Sequence, residues 1–141
     1  MTESENTAYV TDEVTLPVRW SDFDRYGHVN NATYIEYAQD ARLAFGAKHF
    51  GAGLPVFVRH VEADYARPIM PDTTEVLVRT SVVRVGTTSF TTQQDILDRH
   101  GSVCCTVTSV LVAVDIETST PREITSRELG ILTQGPAEAT E

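Results

Sequence analysis

Asp22, Asp24, His28, Asn30 and Asn31 fall in one short run, Arg19-Trp-Ser-Asp-Phe-Asp-Arg-Tyr-Gly-His-Val-Asn-Asn-Ala-Thr-Tyr34. A strand signal ends there and a helix signal begins, so both aspartates sit in a loop directly ahead of a helix N-terminus. The first N–H groups of a helix lack intrahelical acceptors and carry a partial positive charge. Such an end polarises a carbonyl or holds an oxyanion. A carboxylate beside it is the minimum equipment for hydrolysing an activated acyl group, either by attacking the carbonyl or by activating a water. Asp, Asn and Gly are also ordinary turn and capping residues, and the run by itself equally fits a plain turn before a helix.

The elements that must position this loop can be read on either side of it. Glu13 to Trp20 reads as a strand that Pro17 confines to an edge or a bulge. Asn30 or Asn31 is a suitable N-cap for a helix on which Ala32, Ile35, Ala38, Ala41, Arg42 and Phe45 recur at helical spacing. Glu36 and Asp40 lie early in it and Arg42 and Lys48 late, an order that complements the helix dipole. Gly51, Gly53 and Pro55 stop it. Strands are then expected over 56–66, 75–85, 89–97 and 103–116, with Val76, Val78, Thr80 and Val82 on one face of the second. A short helix is expected near 126–132. One long helix against an antiparallel sheet is an α+β design. Residues 1–12 read as a flexible N-terminus, 13–132 as one domain and 133–141 as a disordered tail.

Composition narrows the partners. The chain has 141 residues, 41% apolar and 22% charged, which suits one globular domain. Its formal net charge of −9 has the wrong sign for nucleic acid or an anionic membrane surface. Apolar runs fall short of the ~20 residues of a membrane helix. The basic residues are nearly all arginine, which suits bidentate phosphate contacts but also follows from genome composition. Cys104 and Cys105 are adjacent, and neighbours in a strand point to opposite faces, so neither a disulfide nor a shared metal site is expected. The acidic, polar opening residues do not read as a signal or transit peptide, and the cytoplasm is the expected compartment. His49, His60 and His100 lack metal-ligand spacing, and no Gly-x-Ser-x-Gly elbow or phosphate-binding glycine loop is present.

The run Asp24-x-x-Gly27-His28-Val29-Asn30-Asn31-x-x-Tyr34-x-x-Tyr37 resembles the signature of the 4-hydroxybenzoyl-CoA thioesterase-like branch of the hotdog superfamily. Trp20-x-Asp22, Ala41-Arg42, Tyr65-x-Arg67-Pro68 and Val85-Gly-Thr-Thr-Ser-Phe90 fit the same pattern, so the likeness runs from about Val14 to Val114. It implies a hotdog fold, an antiparallel sheet wrapped around one long central helix. It also implies homodimers with a continuous sheet, often paired into homotetramers, and active sites at the dimer interface. Asp24 then occupies the catalytic carboxylate position as nucleophile or general base, and the Asn31 N–H the oxyanion site. The similar plant acyl-ACP thioesterases carry Asp-x-Asn-x-His here. This chain keeps Asp24 and His28 but has Tyr26 at the Asn position, so His28 is either a proton handler or a loop-shaping residue. Tyr34 is placed at the acyl pocket or in the core. Arg84, Ser89 and Phe90 correspond to the CoA-contacting surface, with Arg84 as the local cation.

The implied activity is hydrolysis of an acyl-CoA, fatty acyl in preference to aromatic acyl, with neither metal nor redox cofactor. A non-catalytic acyl-CoA binder and a hotdog enoyl-thioester hydratase or dehydratase are the alternatives.

Overall fold

Valine and threonine at every second position build the centre of the sheet. In β3 (Glu75–Val85) the residues Val76, Val78, Thr80 and Val82 all point to the covered face and are buried. The same alternation shapes β4 (Ser89–Leu97) and β5 (Val103–Asp115). The computed structural model describes residues 9–51 and 53–134. With β1 (Thr11–Pro17) and β2 (Val56–Tyr65) the antiparallel order is β1-β3-β4-β5-β2. A two-residue strand, β6 (Thr120–Pro121), pairs with the end of β5.

The long helix, α1 (Asn31–Phe50), packs against β1, β3, β4 and β5. Register shifts at Val58/His60, Val82/Arg84 and Ile96/Leu97 interrupt three strand pairs. Such irregularities bend strands and increase twist, which lets the sheet curl around a helix. This is the α+β hotdog arrangement expected from the motif. Pro17 closes β1, an edge strand, where its missing N–H costs no ladder bond.

The buried face of α1 differs from the expected one. Ala38, Ala41 and Phe45 are buried as expected, but Ala32 is exposed and Ile35 only half-buried. Tyr34 and Tyr37 take that side of the helix, because their rings fill the space above Ile69, Val76 and Ile96. A second cluster, with Phe45, Phe50, Val82, Phe90, Leu111 and Leu132, fills the other end of the helix–sheet space. Leu132 comes from α2 (Ser126–Leu132), whose start is closed by a capping box between Thr125 and Glu128.

At the N-terminal end, β1 begins at Thr11, two residues earlier than the sequence pattern indicates. Tyr9 and Val10 already pair with Val82, at 2.8 and 2.9 Å. Residues 13–132 fall within the described part, whereas residues 1–8 of the expected flexible N-terminus and 135–141 of the expected tail lie outside it. The first strand stops at Pro17, and a 3₁₀ turn, Trp20–Asp22, replaces its expected end.

Candidate active site

The loop between β1 and α1 is held by its first aspartate. Asp22 is 3% exposed. Its carboxylate accepts from the Arg19 N–H (2.8 Å), the Arg19 Nε (3.3 Å) and the Tyr37 hydroxyl (2.8 Å). Burial, and then the bond to Asp22, raise the pKa of Tyr37 well above the phenol's ordinary value, so it stays a donor. The Asp22 carbonyl accepts the Asn30 N–H at 2.9 Å. Asp22 therefore ties the loop to both the strand before it and the helix after it.

The second aspartate is arranged differently. The Asp24 N–H donates to the His28 carbonyl at 2.7 Å, and Gly27 turns the chain at a φ of 81°. Asp24 Oδ1 accepts the N–H groups of Tyr26 (2.9 Å) and His28 (3.2 Å). Oδ2 has no partner among the described residues. One oxygen thus fixes the carboxylate and the other is left without a protein partner among the described residues.

Asn30 stands at the N-cap position, but its side chain makes no capping bond and its Nδ2 reaches back to the Asp22 carbonyl at 3.5 Å. The expected side-chain cap is therefore absent. The Asn31 N–H, at the first helical position, also has no acceptor among the described residues, as is inherent to a helix start. A cleft of about 300 Å³ brings together Asp24, His28, Asn31, Tyr34, Tyr65 and Arg67. The Tyr65 hydroxyl donates to the Asn31 carbonyl at 2.8 Å, joining the end of β2 to the start of α1. The Tyr34 ring meets Tyr65 edge to face at 5.2 Å, and its hydroxyl accepts the Ile69 N–H at 3.0 Å. His28 lines the cleft; among the described residues its ring makes no hydrogen bond, whereas its backbone closes the loop.

This is a carboxylate oxygen without a protein partner beside an uncapped helix N-terminus, the equipment for acyl transfer to water. Residues 18–130 match the family model of the thioesterase-like superfamily. The chain belongs to the thioesterase-like superfamily. Thioester hydrolysis is the general chemistry that this membership supports. Among relatives, an uncharacterized protein of Bacillus subtilis, YsmA, is 30% identical over 107 residues, 72% of this chain and 71% of that protein. A Thermus thermophilus thioesterase, solved with coenzyme A and Zn, is 27% identical with a TM-score of 0.76, covering 85% of this chain and 95% of that one. A Jannaschia protein of the thioesterase superfamily, at 16% identity, shares the fold with a TM-score of 0.82 over 93% of this chain and 97% of that one.

In this superfamily member the remaining sequence-derived residues lie elsewhere. Arg84 is exposed on β3, Ser89 starts β4, and Phe90 is buried beside Phe45 and Leu111. All three are at the opposite end of α1 from the cleft of their own chain. Tyr65 and Arg67 were missed as cleft residues. Their signal was the Tyr-x-Arg-Pro run at the end of β2, which carries a ring and a cation past the sheet edge toward the helix start. Among the described residues Arg67 forms no ion pair, and no helix is long and apolar enough to cross a membrane.

Proposed function

We propose that this protein is an acyl-CoA thioesterase that releases a free acid and CoA, with Asp24 as its catalytic carboxylate. The observation that carries the reading is the free Oδ2 of Asp24 on the same cleft as the uncapped Asn31 N–H. The thioester oxygen accepts that N–H, and the developing charge gains from the helix end. Asp24 either attacks the carbonyl carbon, forming a mixed anhydride that water then hydrolyses to the free acid and the restored carboxylate, or takes a proton from the attacking water. The C–S bond breaks, and the CoA thiolate is protonated from solvent or through the His28 ring. The coenzyme A bound by the Thermus thermophilus thioesterase supports CoA as the carrier. A fatty acyl group is the favoured substrate, ahead of an aromatic one.

The working form in this reading is a dimer joined through β2. Eight of its ten residues are exposed, among them Phe57, Val58, Val61 and Tyr65, and its outer edge has no neighbour among the described strands. A long, apolar, unpaired edge strand invites pairing. Antiparallel pairing of two β2 strands about a two-fold axis sets the two α1 helices antiparallel. That brings the partner's 85–89 turn, with its Arg84, Ser89 and Phe90, to the end where the cleft lies. Two buried, unpaired thiols suit the cytoplasm as the compartment.

The test is a panel of acyl-CoAs from acetyl to palmitoyl, with benzoyl and hydroxybenzoyl, read by release of CoA thiol. Turnover that disappears in Asp24→Ala supports the assignment and ranks the acyl groups. Binding of acyl-CoA without thiol release would replace it with a binder. Absorbance change on enoyl-CoA without thiol release would replace it with a hydratase.

A further inference from the structure

A second cavity lies beneath the C-terminal half of α1, away from the Asp24 cleft. It has a volume of about 240 Å³ and an apolar lining that includes Phe45, Phe50, Leu54, Phe90 and Leu111, with Val56 and Val58 of β2, the edge strand of the proposed dimer. One end is polar. Arg42 reaches in from the helix, and its Nη1 donates to Gln94 Oε1 (3.2 Å) and Ser109 Oγ (3.4 Å). Gln94 is fixed in turn, because its Nε2 donates to the Ala38 carbonyl (2.9 Å) and to Thr80 Oγ1 (3.0 Å). Thr92 lies opposite Ser109 in the β4–β5 ladder, and lines the cavity. Its hydroxyl is buried with no protein partner among the described residues.

The unpartnered Thr92 hydroxyl is costly for a core that has only to fold. Buried polar groups normally find partners. Arg42 is half-buried; among the described residues it has no ion pair, and its Nε and Nη2 have no protein acceptor. Burial draws its pKa below the ordinary guanidinium value, as expected for a cation with no carboxylate beside it. A guanidinium with free donors, next to a free hydroxyl, at one end of an apolar cavity is equipped for a bound anion.

We propose that this cavity is a binding site for a small organic carboxylate with an apolar body, with Arg42 and Thr92 holding the carboxylate. A cavity of about 150 Å³ accepts benzene, so this one has room for a phenyl ring and a three-carbon carboxylate arm.

The test is calorimetric titration of the full chain with 3-phenylpropanoate and with its neutral counterpart, 3-phenylpropanamide. Saturable one-to-one binding of the acid, at least tenfold tighter than of the amide, is expected. Arg42→Met should weaken the acid at least tenfold, Arg42→Lys less, and Asp24→Asn not at all. Equal affinity for acid and amide, or no saturable binding to the folded wild-type chain, overturns the proposal. So does unchanged affinity in a folded Arg42→Met protein. Should Arg42→Met fail to fold, the acid-against-amide comparison on wild type still decides. None of these readouts depends on thioester turnover, so the site stands or falls separately from the hydrolase assignment.

Discussion

The Tyr37 hydroxyl donates to the buried Asp22 carboxylate at 2.8 Å, and nothing comparable reaches Asp24 Oδ2 among the described residues. Two aspartates two positions apart therefore have separate tasks. Tyr37→Phe should cost about 1–2 kcal/mol, because the buried carboxylate loses one of the two donors to its Oδ2 and keeps only the Arg19 N–H there. Asp22→Ala should cost about 1–3 kcal/mol, chiefly by stranding the buried Tyr37 hydroxyl. Both are read from urea unfolding midpoints. Asp24→Asn keeps an acceptor for the backbone N–H groups of Tyr26 and His28, so its midpoint should stay close to wild type. Its turnover should fall by about 10²–10⁴-fold. A folded Asp24→Asn protein with wild-type turnover would remove Asp24 from the chemistry.

The β2 edge gives an assembly prediction. Val61 is exposed near the middle of the strand, where a two-fold pairing would place it against its own copy. Val61→Glu sets like charges face to face and should convert the dimer to a monomer in light scattering. Turnover should drop at least tenfold with it, because the partner's residues no longer complete the cleft. A wild-type chain that is already monomeric and active would refute the interface.

Cys104 and Cys105 are both fully buried, and burial pushes each thiol up to about 11. At pH 8 the thiolate fraction is then about a thousandth, and the sulfurs are also out of reach of solvent. A chromogenic disulfide should label neither in the native protein and both after denaturation. The thiol-release assay therefore reads CoA alone. Rapid labelling of the native chain would contradict this.

Arg122 grips Glu128 through two bonds of 2.9 Å, and this holds the Glu128 carboxyl below its ordinary value of 4.5. A depressed folded-state value means the contribution is complete above pH 4.5 and is lost as pH falls through the lower folded-state value. Thermal midpoints should fall through that window. In Glu128→Gln the midpoint should be lower near neutral pH and the acid-side fall shallower. Identical pH profiles for the two proteins would show that the pair does not hold α2.

Much of the architecture was legible because it rests on local pattern. The alternation of Val76, Val78, Thr80 and Val82 marks a half-covered strand whatever surrounds it, and β3, β4 and α2 have the bounds the pattern indicates. The face of α1 was less legible. Alanine and isoleucine spacing suggested Ala32 and Ile35, but two tyrosines with more apolar surface to bury took the core side. Tyr65 and Arg67 escaped notice as cleft residues because they come from the far end of a different strand, well separated in sequence from the loop.

By itself the sequence determined that a carboxylate loop precedes a long helix, that an antiparallel sheet follows, and which family signature the loop carries. These are contiguous features, set by residue type, spacing and turn chemistry. Only the tertiary structure decided which aspartate is buried as a tie and which keeps a free oxygen, since that depends on Tyr37 coming down from α1 onto Asp22. It also removed the expected side-chain cap from the helix start, by turning the Asn30 side chain toward the Asp22 carbonyl. And it placed Arg42 against Gln94 and Ser109 from two other strands. Each of these is a contact set by how the helix and loop lie on the sheet, and no local pattern encodes it.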